Sequence, residues 1–383
     1  MSKYLKKISS LNEYTDIISG SEYDKNTIIY NSTSKKLDFN EDDDDLIVVY
    51  NFTEDDITNN GSKTLWTTHN SSGCFNGVLL NDVEVDYNSP KTVEEVGIGI
   101  HILKIKLKID SGGYMSSNNA PLFYNQLFID VHIPNKLIQI PMNMFLNTYF
   151  NRLVFPKNLE QINPGAFAMN NVINMSSSPY IIDTLELPST LIYLNSGTLP
   201  TVKNLIINST EFLCSDGLQA AMTFKNEIKT LKIPNLTNIP FTFCANCTSL
   251  TSVTLGNSLS SISNGAFGNC TALTSINIPN SVINIDSYIF SGCTSLTSIN
   301  IPDSVTTIET GVFYNCTSLT SVTLPDSVTV IDNDAFNGCT SLEEVRILNP
   351  TCIIANNAFK SANINCKLYL GDELVDITQY MNE

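Results

Sequence analysis

A mainly β chain, most of it a solenoid of about eleven stacked coils over residues 126–375, is the fold class this sequence predicts, and three observations predict it. Cysteines fall at 247, 270, 293, 316 and 339, always 23 residues apart. The hydrophobic anchors Leu255, Ile278, Ile301, Leu324, Ile347 and Leu370 keep the same step. Each anchor sits in a triplet that alternates apolar and polar residues, the period of a strand with one face buried. In chain order the expectation is an N-terminal anchoring segment (1–45), a small β domain (46–115), the solenoid (126–375) and a tail (376–383).

In the first segment, "NTIIYN", the turn "STSKK" and "LDF" read as a hairpin. The run Glu41 to Asp45, "EDDDD", invites a calcium site. Its acids are contiguous, however, without the glycine and distal glutamate of a calcium loop, so it reads as a solvated linker. From Leu46 onward, "LIVVYNF", "TLWTT", "GVLLNDVEV" and "HILKIKLKI" read as strands. In the last, Leu103, Ile105, Leu107 and Ile109 share one face and Lys104, Lys106 and Lys108 the other. The length suits a compact immunoglobulin-like β-sandwich.

In the solenoid, Leu250, Leu273, Leu296, Leu319 and Leu342 precede each triplet, and Ile262, Ile285, Ile308, Ile331 and Ile354 follow its anchor by seven residues. Phe267, Phe290, Phe313, Phe336 and Phe359 close each unit. Without the cysteine, the same spacing runs through Ile133, Leu137, Ile140, Met144 and Phe145, and again through Phe155, Leu159, Ile162, Ala166 and Phe167. Leu187, Ile207 and Ile233 anchor coils of uneven length. Pro279, Pro302 and Pro325 end the strands, since proline donates no ladder bond, and each starts a turn with Asn or Asp next. A unit this short cannot bury a face alone, so the units must stack.

The unit L-T-S-[IV]-x-[IL]-P-x-S-V-x-x-I-x-x-x-[AV]-F-x-x-C-x-x-L resembles the BspA-like leucine-rich repeat, closely over 247–359 and in degenerate form over 126–246. The resemblance implies a leucine-rich-repeat solenoid and a non-enzymatic recognition or adhesion rod. The hairpin "NDVEVD" followed by a "G-x-H-x-[IL]-K-x-K-[IL]" strand is similar to small β domains that precede such repeats in gut bacteria and their tailed phages. The segment before it resembles N-terminal anchors of phage virion proteins.

Regularly spaced cysteines admit a metal strip, a disulfide ladder or a packing column. Zinc needs four convergent ligands, whereas stacked coils place one thiol each along a line, and parallel side chains seldom offer disulfide geometry. Cysteine also behaves as a small hydrophobe, so the expectation is reduced, buried thiols. "CANC", Cys244 to Cys247, lacks a second pair or a redox-domain context. Sequons such as those at Asn246, Asn269 and Asn315 read as Asn/Ser/Thr-rich composition. The three histidines, His69, His101 and His132, have no clustered partners, and no phosphate loop, nucleophile elbow or metalloprotease motif occurs. No catalytic residue, metal or cofactor is therefore expected, and the chain reads as a non-enzyme.

The net charge of −17 disfavours nucleic acid and anionic bilayers, and no run of about 18 apolar residues suggests a membrane span. Between Ile233 and Val345 there is no Lys or Arg. The outward strand positions there are short, polar and uncharged, and the candidate partner-binding residues are Ser275, Asn277, Ser298, Asn300, Ser321 and Thr323. Such a face suits a host-surface glycan or a protein backbone, and equally a plain solvated sheet. "MSKYLKKISSLNEY" has lysines with no apolar run after them, which gives the expectation of no export signal. A phage protein needs none. The first expectation is thus a virion surface protein, a capsid or tail decoration or fibre, contacting other virion proteins through 1–45, with a homo-oligomer compatible. The alternative is a bacterial cell-surface adhesin or interaction scaffold.

Overall fold

The computed structural model describes residues 127–146, 148–167, 182–194, 199–211, 213–214 and 225–382, and before them the strands of the N-terminal third. Two short 3-10 helices, Lys225–Glu227 and Ile377–Tyr380, are the helical elements among the described residues, and the rest of the secondary structure is β. None of these helices is long and apolar enough to cross a membrane. The chain divides into two units, Met1–Thr190 with Gly197–Pro200, and Leu191–Ser196 with Thr201–Glu383.

In the first unit, Ile29–Asn31 and Lys36–Asp38 pair antiparallel, forming the expected hairpin. A six-stranded sheet follows, in the order Val83–Val85, Phe75–Leu80, Gly99–Leu107, Leu46–Phe52, Leu127–His132, Tyr149–Val154. All neighbours are antiparallel except the last pair, which is parallel. Leu103, Ile105 and Leu107 are buried together with Leu46 and Val48, as alternation requires. Ile109 and "TLWTT" lie outside the described residues. An immunoglobulin-like sandwich needs a second sheet packed on the first, and the described strands of 46–107 all enter this one sheet. Leu46–Phe52 instead pairs with the first solenoid strand, Leu127–His132, and so covers an edge that parallel stacking would leave open.

The solenoid pattern begins there. Ile133, Leu137, Ile140, Met144 and Phe145 are buried, as are Phe155, Leu159, Ile162, Ala166 and Phe167. The degenerate spacing thus marks true coils. Phe145 stacks on Phe167 with ring centroids 5.1 Å apart, and Gln139–Ile140 pairs in parallel with Gln161–Ile162.

In the second unit most coils contribute a triplet strand and a two-residue strand, while the triplets at Asn277 and Asn300 meet in an isolated parallel bridge. Triplet strands pair in parallel from Val202–Ile207 through Thr230–Ile233 to Ser252–Leu255, and again from Ser321–Leu324 through Glu344–Ile347 to Lys367–Leu370. The pairing register is one repeat, for example Val322 to Val345 and Leu324 to Ile347. A column of phenylalanines runs through the core, Phe267, Phe290, Phe313, Phe336 and Phe359, with near-parallel rings. Their burial adds to that of the leucines and isoleucines around them, each aromatic side chain removing roughly 150–250 Å² from water.

The turns obey a repeat of their own. Asn246, Asn269, Gly292, Asn315 and Gly338, at 23-residue steps, all take left-handed backbone, with φ between 55° and 77°. The Asn269 amide donates to Asn246 Oδ1 at 3.1 Å. Where the next coil carries glycine, the asparagine lies over it: a Cβ on Gly338 would meet Asn315 Oδ1 at 2.1 Å, and one on Gly292 would meet Asn269 Oδ1 at 2.2 Å.

The solenoid makes about nine turns, fewer than the eleven coils expected. The first strand belongs to the antiparallel sheet, and the last, Lys367–Leu370, turns back as a hairpin with Glu373–Val375. The tail then takes the place of a further coil. Phe313 N–H donates to Ala335 O and Phe336 N–H to Ala358 O, and Phe359 N–H donates to Tyr380 O at 3.0 Å. Asp376 caps the tail's short helix, its Oδ1 accepting from Thr378 N–H at 2.9 Å.

Candidate recognition face and the cysteine column

The six residues singled out for partner contact, Ser275, Asn277, Ser298, Asn300, Ser321 and Thr323, are all exposed, alternating with buried neighbours such as Ile276, Ile299 and Val322. A parallel bridge joins Asn277 to Asn300. The face changes character at both ends. Lys232 stands beside Thr254, while Ser321 and Thr323 stand beside Glu344 and Arg346. Arg346 Nε donates to Glu344 Oε1 at 2.7 Å, and its guanidinium lies 4.3 Å over the Tyr369 ring. Both charged groups are well exposed, so the pair adds little stability and instead marks where the uncharged strip stops.

Sequence reasoning missed a cleft of about 500 Å³ at the strand end, lined by Asn257, Asn277, Pro279, Asn280, Ser281 and Asn300. Two of these, Asn277 and Asn300, were singled out. The other signal lay in departures from the repeat: Asn257 and Asn280 stand where later coils have Asp303 and Asp326, and Gly256 where they have proline. A second missed feature is an acidic column, Asp286, Glu309 and Asp332, in which partial burial and the neighbouring charges of Asp332 and Asp286 hold the Glu309 carboxyl above its usual range.

The cysteines are core. Cys247, Cys270, Cys293, Cys316 and Cys339 are buried and free. Each of the last four donates its S–H to a main-chain carbonyl 26 residues earlier at 3.2 Å: Cys270 to Cys244, Cys293 to Phe267, Cys316 to Phe290, Cys339 to Phe313. Burial pushes Cys293 and Cys339 up to about 12, and raises Cys270 and Cys316 as well, so these thiols are poor nucleophiles and poor metal ligands. Cys244 holds the backbone place of the aromatic: its N–H donates to Ala266 O as that of Phe267 does to Ile289 O. The CxxC is therefore two packed thiols. Of the histidines, His132 is a buried strand residue, His101 belongs to the strand Gly99–Leu107, and His69 lies outside the described residues.

The family described as "BspA type Leucine rich repeat region" matches the sequence in six copies, over residues 116–240 and 237–366. No curated protein matches the chain. Among solved structures, the chain is similar to the leucine-rich repeat protein TpLRR of T. pallidum, at 25% identity and a TM-score of 0.36, over 46% of this chain and 75% of that one. It is also similar to a leucine-rich repeat protein of Bacteroides ovatus, at 20% identity and 0.41, over 51% of this chain and about half, 54%, of that one. A leucine rich cell surface protein of Faecalibacterium prausnitzii matches at 19% identity and 0.25, over 63% and 78%. None of these matches bears on the virion role expected from residues 1–45.

Proposed function

Because this chain belongs to the BspA-type leucine-rich repeat family, we propose that it is a non-enzymatic recognition protein of the adhesin type, displayed on a cell surface. It meets its partner through the outward positions of the triplet strands. The observation that carries the reading is the uncharged strip of exposed Ser, Asn and Thr, unbroken from Ser252 to Thr323 and bounded by Lys232 and Arg346. Charge is costly to desolvate at a contact that offers it no partner, so a face emptied of charge over several coils suits repeated, low-cost docking of a neutral polar partner. The partner is a glycan or a protein, not nucleic acid, which a chain of net charge −17 repels. Family membership favours this reading over a virion part.

Protease shaving of intact producing cells tests it. Peptides from 225–382 released without lysis are the expected result. Their release only after lysis, or recovery of the protein in purified phage particles, overturns the assignment. Ser298→Arg with Asn300→Arg should abolish attachment to target cells while leaving the melting temperature within a few degrees, since both side chains are exposed.

A further inference from the structure

The strand ladder on the candidate face is interrupted, and four independent features mark the interruption. Ser252–Leu255 pairs with the preceding coil, but on this face the next coil meets its follower in the isolated Asn277–Asn300 bridge and the Thr297 N–H to Thr274 O bond, with no strand ladder between them. Val253 and Leu255, whose counterparts Val322 and Leu324 are 2% and 0% exposed, are only half-buried. Ser281 Oγ is buried without a hydrogen-bond partner, whereas its counterparts Ser304 and Ser327 donate to Val282 O and Val305 O. The phenylalanine rings are 6.0 Å apart from Phe267 to Phe290 and from Phe290 to Phe313, against 5.2 and 5.0 Å further on.

The cause is at the strand ends. Gly256 N–H donates to Ile233 O at 2.9 Å, as Leu348 does to Leu324 O and Gly371 to Ile347 O. The matching positions in the coils between are Pro279, Pro302 and Pro325, which have no N–H to give. Gly256 also lies so close to Pro234 that a Cβ would meet its carbonyl oxygen at 1.7 Å. That coil is drawn toward the one before it and has no bond at this corner to the one after. The cleft of about 500 Å³ opens there.

We propose that this cleft is a binding site for a neutral saccharide. The inference rests on the recognition reading above and assigns its ligand class. Asn257, Asn277, Asn280 and Asn300 bring four carboxamides to the cleft, each both donor and acceptor, as sugar hydroxyls are. Ile278 and Pro279 supply an apolar patch for the C–H face of a ring. An anionic ligand meets no Lys or Arg from Ile233 to Val345. An extended peptide adds to a sheet through alternating N–H and C=O groups, and the prolines remove donors where it would need them.

Calorimetry or NMR titration of the whole chain against neutral gluco-, manno-, xylo- and N-acetylglucosamine oligosaccharides tests the proposal, with an oligogalacturonate and a polar peptide as comparisons. At least one neutral oligosaccharide should bind with a Kd of about 1 mM or tighter. Asn257→Ala with Asn280→Ala should weaken it about tenfold or more, and Ile353→Ser with Ile364→Ser, exposed side chains outside the triplet strands, should leave it within about twofold. Unchanged melting curves and protected thiols verify that both variants fold. Absence of neutral saccharide binding at about 10 mM overturns the ligand class. Binding that Asn257→Ala with Asn280→Ala leaves within about twofold, but that Ser321→Arg with Thr323→Arg on the wider face abolishes, overturns the cleft and keeps the face. Peptide binding that depends on Asn257 and Asn280 overturns the saccharide.

Discussion

Gly338→Ala tests the stacking register at a single side chain. Gly338 has φ 77°, and a Cβ there would lie 2.1 Å from Oδ1 and 3.2 Å from Cγ of Asn315, one coil earlier. Gly265 is the matched control: its φ is 65°, but the nearest atom to an added Cβ is Thr242 Cγ2 at an ordinary 3.4 Å. Left-handed backbone costs an L-residue about 1–2 kcal/mol, and both substitutions incur that. At 338 the Asn315 amide must also leave its place, at about 0.5–1.5 kcal/mol for a displaced rotamer. The expectation is about 2–3 kcal/mol for Gly338→Ala and about 1–2 for Gly265→Ala. Asn315→Gly should remove the excess, giving a coupling of about 1 kcal/mol in a double-mutant cycle. Urea unfolding followed by far-ultraviolet circular dichroism reads these values as midpoint shifts at constant slope. Equal losses at 265 and 338, or a loss at 338 that Asn315→Gly leaves unchanged, would refute the reasoning.

Phe313→Ala, which removes a fully buried ring stacked 6.0 Å from Phe290 and 5.2 Å from Phe336, should cost about 3–5 kcal/mol by the same assay, and a loss under about 1 would contradict the aromatic column. Stability should fall at alkaline pH. Burial raises the folded-state Cys293 and Cys339 thiols from 9.0 to about 12, so their stabilisation is complete below pH 9 and is lost as pH rises toward 12. The slope is about 1.4 kcal/mol per pH unit for each thiol. Urea midpoints at pH 8, 9.5 and 11 should decline, less steeply in Cys293→Ala, and a flat profile would count against burial. Asp376→Ala should cost about 0.5–2 kcal/mol by removing the cap that accepts from Thr378, and hydrogen exchange at the Phe359 amide should quicken with it. Unaltered exchange there would show that the tail does not close the last coil.

The solenoid was legible because its chemistry repeats: a 23-residue step in Leu, Ile, Phe and Cys leaves one placement of the core, and even the cysteine-free coils at Ile133 and Phe155 followed the rule. The ends were not legible, because they are where the repeat stops. Pairing of Leu46–Phe52 with Leu127–His132 is a long-range antiparallel contact that local alternation does not encode. The sandwich inferred from length found no second sheet among the described strands. The tail's role as a substitute coil depends on a main-chain carbonyl, Tyr380 O, which any residue could supply. On the face, alternation placed all six polar residues outward. The cleft escaped because it arises from what is missing. Three prolines withhold an N–H, one glycine lets two coils close, and a consensus reading averages such departures away.

Thiol labelling tests the central claim most directly, that each 23-residue unit turns its cysteine into the core and its Ser/Asn pair outward. Wild-type protein and the Ser298→Cys variant are exposed to a small alkylating reagent under native conditions and mapped by mass spectrometry. Cys293 and the introduced thiol are five residues apart in sequence, one buried and one exposed. Rapid modification at 298 with Cys270, Cys293, Cys316 and Cys339 protected until the chain is unfolded is the predicted result. Rapid modification of Cys293 in the native protein, or protection at 298, would contradict it.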